Sequence, residues 1–159
     1  MALIHEKLYQ SPNLARINAQ EYINNLTNNL LHSYSVFNHN IQLCLEVEEV
    51  LLDIDTAIPC GLIINELVSN SLKYAFIKKD NGLVVLKLSL NEPQGITLLV
   101  KDNGVGLQED LKIEEVDSLG LQLVYNLTEQ LEGQIKIERG QGTYFEINFP
   151  YPKHQEEVK

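Results

Sequence analysis

The chain has 159 residues, 44% hydrophobic and 21% charged, which suits one compact domain with a real core. Twelve basic against 22 acidic residues leave a net charge of -10 with no Lys/Arg cluster. This argues against a nucleic-acid partner or direct membrane contact, so any phosphate-bearing ligand must be held locally. No window approaches the ~20 apolar residues of a membrane span, and the start lacks a signal-peptide pattern, so a cytoplasmic location is expected.

The opening MALIHEKLYQS places Leu3, Ile4 and Leu8 on one side at helical spacing and stops at Ser11 and Pro12, because proline disfavours helix in the residue before it. A helical stub is expected there. Ala19, Tyr22, Ile23, Leu26, Leu30 and Tyr34 follow the helical period, with Asn18 as cap, and predict an amphipathic helix to about Ser35. IQLCLEV alternates as a half-buried strand does, and VLLDID reads as a second, short strand. A helix is then expected from Thr56 to Phe76, with Pro59 in its first turn.

GLVVLKLSLN and GITLLVKD, separated by EPQG, predict an antiparallel hairpin. NGVGLQEDLKIEEVDS has little periodicity and reads as a mobile loop. LGLQLVYNLTEQL is helical, with Gly133 as its stop, and GQIKIER and TYFEINFP are two further strands around a glycine turn. The tail from Lys153 is polar and expected to fray. This order predicts an α+β fold, a two-layer sandwich with a mixed, mostly antiparallel sheet covered on one face by helices. Cys44 and Cys60 lack metal spacing and are expected to be reduced, largely buried thiols, and the scattered histidines give no zinc pattern.

Four segments carry candidate chemistry. In NELVSNSLKYAF, a rotation of roughly 100° per residue puts Glu66, Asn70 and Lys73 on one stripe, while Val68, Ser71 and Ala75 point the opposite way. The stripe suits a solvated face. It equally suits hydrated Mg²⁺ with phosphate oxygens, Asn70 as ligand, Lys73 as positive charge and Glu66 as proton acceptor. LLVKDNGVGL ends a strand in Asp102 before Gly104 and Gly106. Asp-Asn-Gly is a common turn, and a carboxylate at a strand end can also accept a hydrogen bond from an exocyclic amine. DSLGLQLV leads a small residue and a glycine into a helix start, where free amides favour anions. GQGTYFEINFP is a glycine turn with Thr143 opening the last strand.

In this order the four segments, over about residues 56 to 150, resemble the ATP-binding domain of sensor histidine kinases. That domain belongs to a superfamily with gyrase-type, mismatch-repair and chaperone ATPases and has a Bergerat-type fold. NELVSNSLKYAF is similar to the N box, DNGVG to the first glycine box, SLGLQLV to the second, and GTYFEINFP to the closing hairpin. MALIHEKLYQS and LGLQLVYNLTEQLEG resemble the subgroup whose dimerisation segment is of the second HisKA type.

The resemblance implies ATP and Mg²⁺ as ligands. Asn70 would ligate Mg²⁺, Lys73 would contact phosphate, and Tyr74 would lie against the nucleotide. Asp102 would bind the adenine amino group, with Gly104 and Gly106 shaping the pocket. Residues 103 to 118 would form the lid, Leu119, Gly120 and Leu121 would offer backbone contacts to phosphate, and Thr143 would support the adenine end. Glu66 matches the catalytic glutamate of the hydrolytic members, where many kinases have Asn. Two departures stand out. Ser118 replaces a frequent glycine, and the lid lacks an obvious phenylalanine box.

The expected organisation is a stub of a dimerisation segment over residues 1–12, a catalytic domain over 13–152 and a tail over 153–159. His5 lacks the setting of the family's phosphoacceptor, which lies upstream. The activity implied is therefore that of a protein-histidine kinase fragment, unable to autophosphorylate alone, whose acceptor histidine sits on a segment absent from this chain. The parent would be a homodimer, with or without a membrane anchor, feeding a response regulator. An anti-sigma-type serine kinase or ATPase, or a non-catalytic nucleotide-binding module, are the alternatives.

Overall fold

The computed structural model describes residues 16–34, 41–75, 81–91, 95–104, 118–140 and 142–151, with only the backbone of 74, 75, 118 and 139. The expected stub over 1–12 and the tail over 153–159 lie outside the described residues. In chain order the elements are β1 (Arg16–Asn18), α1 (Ala19–Tyr34), β2 (Ile41–Val47), β3 (Leu51–Asp53), α2 (Ile54–Asn70), a π-turn (Ser71–Ala75), β4 (Gly82–Asn91), β5 (Gly95–Asp102), α3 (Ser118–Gln130), β6 (Gln134–Gly140) and β7 (Gly142–Pro150).

Five strands form one sheet in the order β2-β4-β5-β7-β6. β2 and β4 are parallel and the other pairs antiparallel, so the expected mixed, mostly antiparallel sheet is what the chain builds. A parallel pair needs a long crossover, and α2 lies within it. The period-two alternation sends Val84, Leu86, Leu88, Ile96, Leu98, Val100, Phe145, Ile147 and Phe149 to one buried face. Helices α1, α2 and α3 contribute Ile23, Ile63, Ile64, Leu67, Val68, Leu121 and Val124 to the same core, giving two layers. The other face carries exposed ion pairs, Lys87 to Glu46 at 3.0 Å and Lys136 to Glu138 at 3.5 Å, which add little stability.

Helix ends follow local chemistry. Asn18 Oδ1 accepts the Glu21 amide at 3.1 Å and Asp53 Oδ1 accepts the Thr56 amide at 3.0 Å, each satisfying a donor that no helical turn reaches. Because Asp53 is the cap, α2 starts at Ile54 and Pro59 falls in its second turn rather than its first. Pro59 withholds a donor from the Asp55 carbonyl, and Asp55 is exposed to water. α3 ends in a pair of hydrogen bonds, Gly133 N to Thr128 O and Glu132 N to Glu129 O, both 2.9 Å, which form a Schellman motif. Glu132 takes the left-handed position at φ 61°. Gly133 is needed for a different reason, since a Cβ there would stand 2.5 Å from the Asn148 carbonyl oxygen.

VLLDID contributes the expected short strand, which pairs with β1 in a separate two-stranded ribbon, because β3 and β1 each flank a helix of the upper layer. Two further expectations are corrected. Cys44 is exposed rather than buried, since alternation in β2 turns it to the open face of the sheet. The helix expected to reach Phe76 keeps α geometry only to Asn70 and then widens into the π-turn, an irregularity common at functional sites. Among the described residues no helix is long and apolar enough to cross a membrane.

Candidate functional site

Asp102 ends β5 on the buried face, in phase with Ile96, Leu98 and Val100. The alternation that builds the core therefore delivers a carboxylate into it, with only 8% of the residue exposed. Burying such a group is costly unless it is hydrogen-bonded, and four donors converge on it. The Gly104 amide donates to Oδ1 at 2.9 Å, a local Asx-type turn. Thr143 lies directly across the β5–β7 ladder and donates twice, its amide to Oδ1 at 3.3 Å and its hydroxyl to Oδ2 at 2.6 Å. From the helix layer, Ser71 Oγ donates to Oδ2 at 2.7 Å.

Two neighbours hold this end of the sheet. Asn103 bonds Leu83 of β4 in both directions, its amide to the Leu83 carbonyl at 3.2 Å and its Oδ1 from the Leu83 amide at 2.8 Å. Gly142 has φ 129°, and a Cβ there would sit 2.0 Å from the Asp102 carbonyl oxygen. Only glycine permits that backbone approach, which brings the next residue, Thr143, onto the carboxylate.

Asn70 is half-buried at the end of α2, immediately before Ser71, and its Oδ1 is buried with no hydrogen-bond partner among the described residues. Glu66 lies half-buried one turn earlier, and Lys73 is exposed in the π-turn. Asp102, Gly104 and Thr143 are thus joined directly, and Asn70 adjoins them through Ser71. Leu119, Gly120 and Leu121 occupy the first turn of α3, where Leu119 is 85% exposed and Leu121 packs in the core. None of the three bonds Asp102 among the described residues. The Tyr74 side chain, Gly106 and the lid segment 105–117 lie outside the described residues.

Two members of the cluster were not singled out from sequence, Ser71 and Gly142. Ser71 carried a signal, a hydroxyl on the stripe of α2 opposite Glu66 and Asn70, where apolar neighbours face the sheet. Gly142 carried none beyond its place in a hairpin.

The site thus sits at a central strand end of a mostly antiparallel sheet under one helical layer, a carboxylate hydrogen-bonded to Ser71, the residue after Asn70. The chain belongs to the family described as Histidine kinase-, DNA gyrase B-, and HSP90-like ATPase, which it matches over residues 55–153. Residues 1–34 match a second family, described as Histidine kinase. The chain is 28% identical over 118 residues to Blue-light-activated histidine kinase 2 of Erythrobacter litoralis, covering 74% of this chain and 34% of that protein. It is 27% identical over 154 residues to the sensor histidine kinase PdtaS of Mycobacterium tuberculosis, covering 94% and 30%.

The solved histidine kinase domain of the Erythrobacter litoralis EL346 blue-light-activated histidine kinase superposes with a TM-score of 0.81 at 25% identity, covering 91% of this chain and 70% of that one. The chain spans about a third of the length of the two curated relatives. It carries the histidine kinase ATPase-type domain found in sensor kinases.

Proposed function

We propose that residues 13–152 bind Mg-ATP and present its γ-phosphate to a histidine on the dimerisation segment of a parent sensor kinase, a cytoplasmic homodimer arm that feeds a response regulator. The observation that carries this reading is the buried Asp102 carboxylate at the end of a central strand, hydrogen-bonded to Ser71, the residue after Asn70, whose Oδ1 is buried without a partner among the described residues. A carboxylate there accepts a hydrogen bond from an exocyclic amine and repels a carbonyl, which selects adenine over a 6-oxo purine.

Magnesium fits the residues present. The Asn70 Oδ1 is a neutral hard oxygen, buried and without a partner among the described residues, the donor type that hydrated Mg²⁺ takes. Leaving such an acceptor stranded costs about 1–3 kcal/mol, a cost that a ligand offsets. When bound, the ion neutralises charge on the phosphate oxygens. Lys73, exposed on the π-turn, adds a mobile positive charge, and the first turn of α3 offers the backbone amides of Leu119, Gly120 and Leu121.

In the transfer, a lone pair on the acceptor imidazole nitrogen forms the P–N bond while the bond from phosphorus to the β–γ bridging oxygen breaks. Its electron pair leaves on ADP, and the imidazole proton passes to Glu66 or water. The chain's own contribution is positioning and charge, which dominate phosphoryl transfer.

The test mixes the chain with Mg-ATP and a separate histidine-bearing dimerisation segment. Acid-labile phosphate on that segment is the expected result. Nucleotide binding with no phosphate moved would instead assign the chain to non-catalytic modules.

A further inference from the structure

Asp102 is saturated by its own fold, and that determines how a base can enter. Oδ1 is held by the backbone amides of Gly104 and Thr143, donors that cannot turn away. Oδ2 is held by two hydroxyls, Thr143 Oγ1 at 2.6 Å and Ser71 Oγ at 2.7 Å. A carboxylate offers about four lone-pair sites, so an incoming amine gains an acceptor only when one hydroxyl rotates.

The two hydroxyls are not equivalent. Thr143 is half-buried, so water can accept its hydrogen bond when it turns. Ser71 is 6% exposed, and its amide is fixed by bonds to the Leu67 and Val68 carbonyls. Turning its hydroxyl away would strand a buried donor. Gly104 and Thr143 approach from the strand side, and Ser71 is the one donor from the helix layer among the described residues.

We propose that Ser71 is a positioning residue for base recognition: its hydroxyl stays on Asp102 Oδ2, fixing the carboxylate plane from the helix side, while the Thr143 hydroxyl yields to the exocyclic amine. This rests on the reading of Asp102 as the acceptor of that amine. It also ties the base end of the site to Asn70, the residue before Ser71, through one backbone step.

The test is titration calorimetry of the whole chain with ADP and with the diphosphate of purine riboside, which has hydrogen where adenine has its amine. Ser71→Ala and Ser71→Cys both remove the strong donor, and the cysteine keeps the side-chain volume, separating packing loss from donor loss. The proposal expects both variants to bind ADP about tenfold more weakly and the purine analogue as the unaltered chain does, so that discrimination collapses. Equal losses on both ligands, no loss, or a gain for ADP would overturn it. Should the unaltered chain fail to distinguish the two ligands, the assignment of Asp102 to the amine fails, and the role of Ser71 falls with it. Discrimination that survives in the variants removes Ser71 alone.

Discussion

Gly142 and Asp102 meet backbone to backbone: a Cβ on Gly142 would stand 2.0 Å from the Asp102 carbonyl oxygen, and its φ of 129° is one that L side chains rarely adopt. Gly142→Ala must therefore push β7 away from β5 at the point where Thr143 reaches the carboxylate. The variant should lose about 1–3 kcal/mol of stability by chemical denaturation and bind ATP more weakly. An alanine variant with unchanged denaturation midpoint and ATP affinity would mean that this approach is dispensable.

Asn70→Ala separates a binding role from a folding role. The change removes a stranded acceptor and improves helix propensity by about half a kcal/mol, so stability should hold or rise. The gain in ATP affinity on adding Mg²⁺ should shrink. An unaltered metal titration would remove Asn70 from the ligand set.

Gly61 shows how closely α1 and α2 pack. A Cβ there would lie 1.9 Å from the Tyr22 hydroxyl oxygen and 2.8 Å from its ring carbon. Gly61→Ala should destabilise the chain by about 1–3 kcal/mol through overpacking. Adding Tyr22→Phe removes the nearest atom, so the two changes should be less harmful together than their sum in a double-mutant cycle. Additive losses would show that the helices separate instead.

The two thiols should behave oppositely. Burial, then the nearby Asp53 charge, pushes the Cys60 thiol from 9.0 up to about 12, and burial, then Cys60, pushes Tyr22 from 10.0 up to about 12. Both folded-state values are raised, so the unfolded chain releases these protons first as pH rises. Their contribution is complete below about pH 9 and is lost between there and about pH 12. Melting temperatures should fall over that window, less steeply in Cys60→Ala. At neutral pH a thiol reagent should modify the exposed Cys44 and spare Cys60 until unfolding. Two equivalents of label on the folded chain would contradict the burial of Cys60.

What could be read in the sequence was whatever has a period or a cap. The alternation of GITLLVKD put Asp102 in phase with the core, and the helical stripe of α2 put Ser71 on the sheet side, opposite Glu66 and Asn70. Asn18 was legible as a cap because its side chain acts within three residues. The rest depended on contacts distant along the chain. The partner of VLLDID is set by β1, whose three residues are too few to show alternation. In the π-turn Ser71 meets Asp102, 31 residues along the chain, and Gly142 meets a carbonyl forty residues away. Glu132 occupies the left-handed position because the neighbouring glycine is needed against Asn148.

The central claim is that Asp102 reads the adenine amine, and Asp102→Asn tests it most directly. The substitution keeps the side-chain shape but turns an NH₂ toward donors that the carboxylate accepted. The measurement is ATP affinity by calorimetry, with circular dichroism to establish folding. The expected result is a folded variant whose ATP affinity drops by at least about tenfold, the equivalent of one charged hydrogen bond. A folded Asp102→Asn chain that binds ATP as tightly as the unaltered one would contradict it.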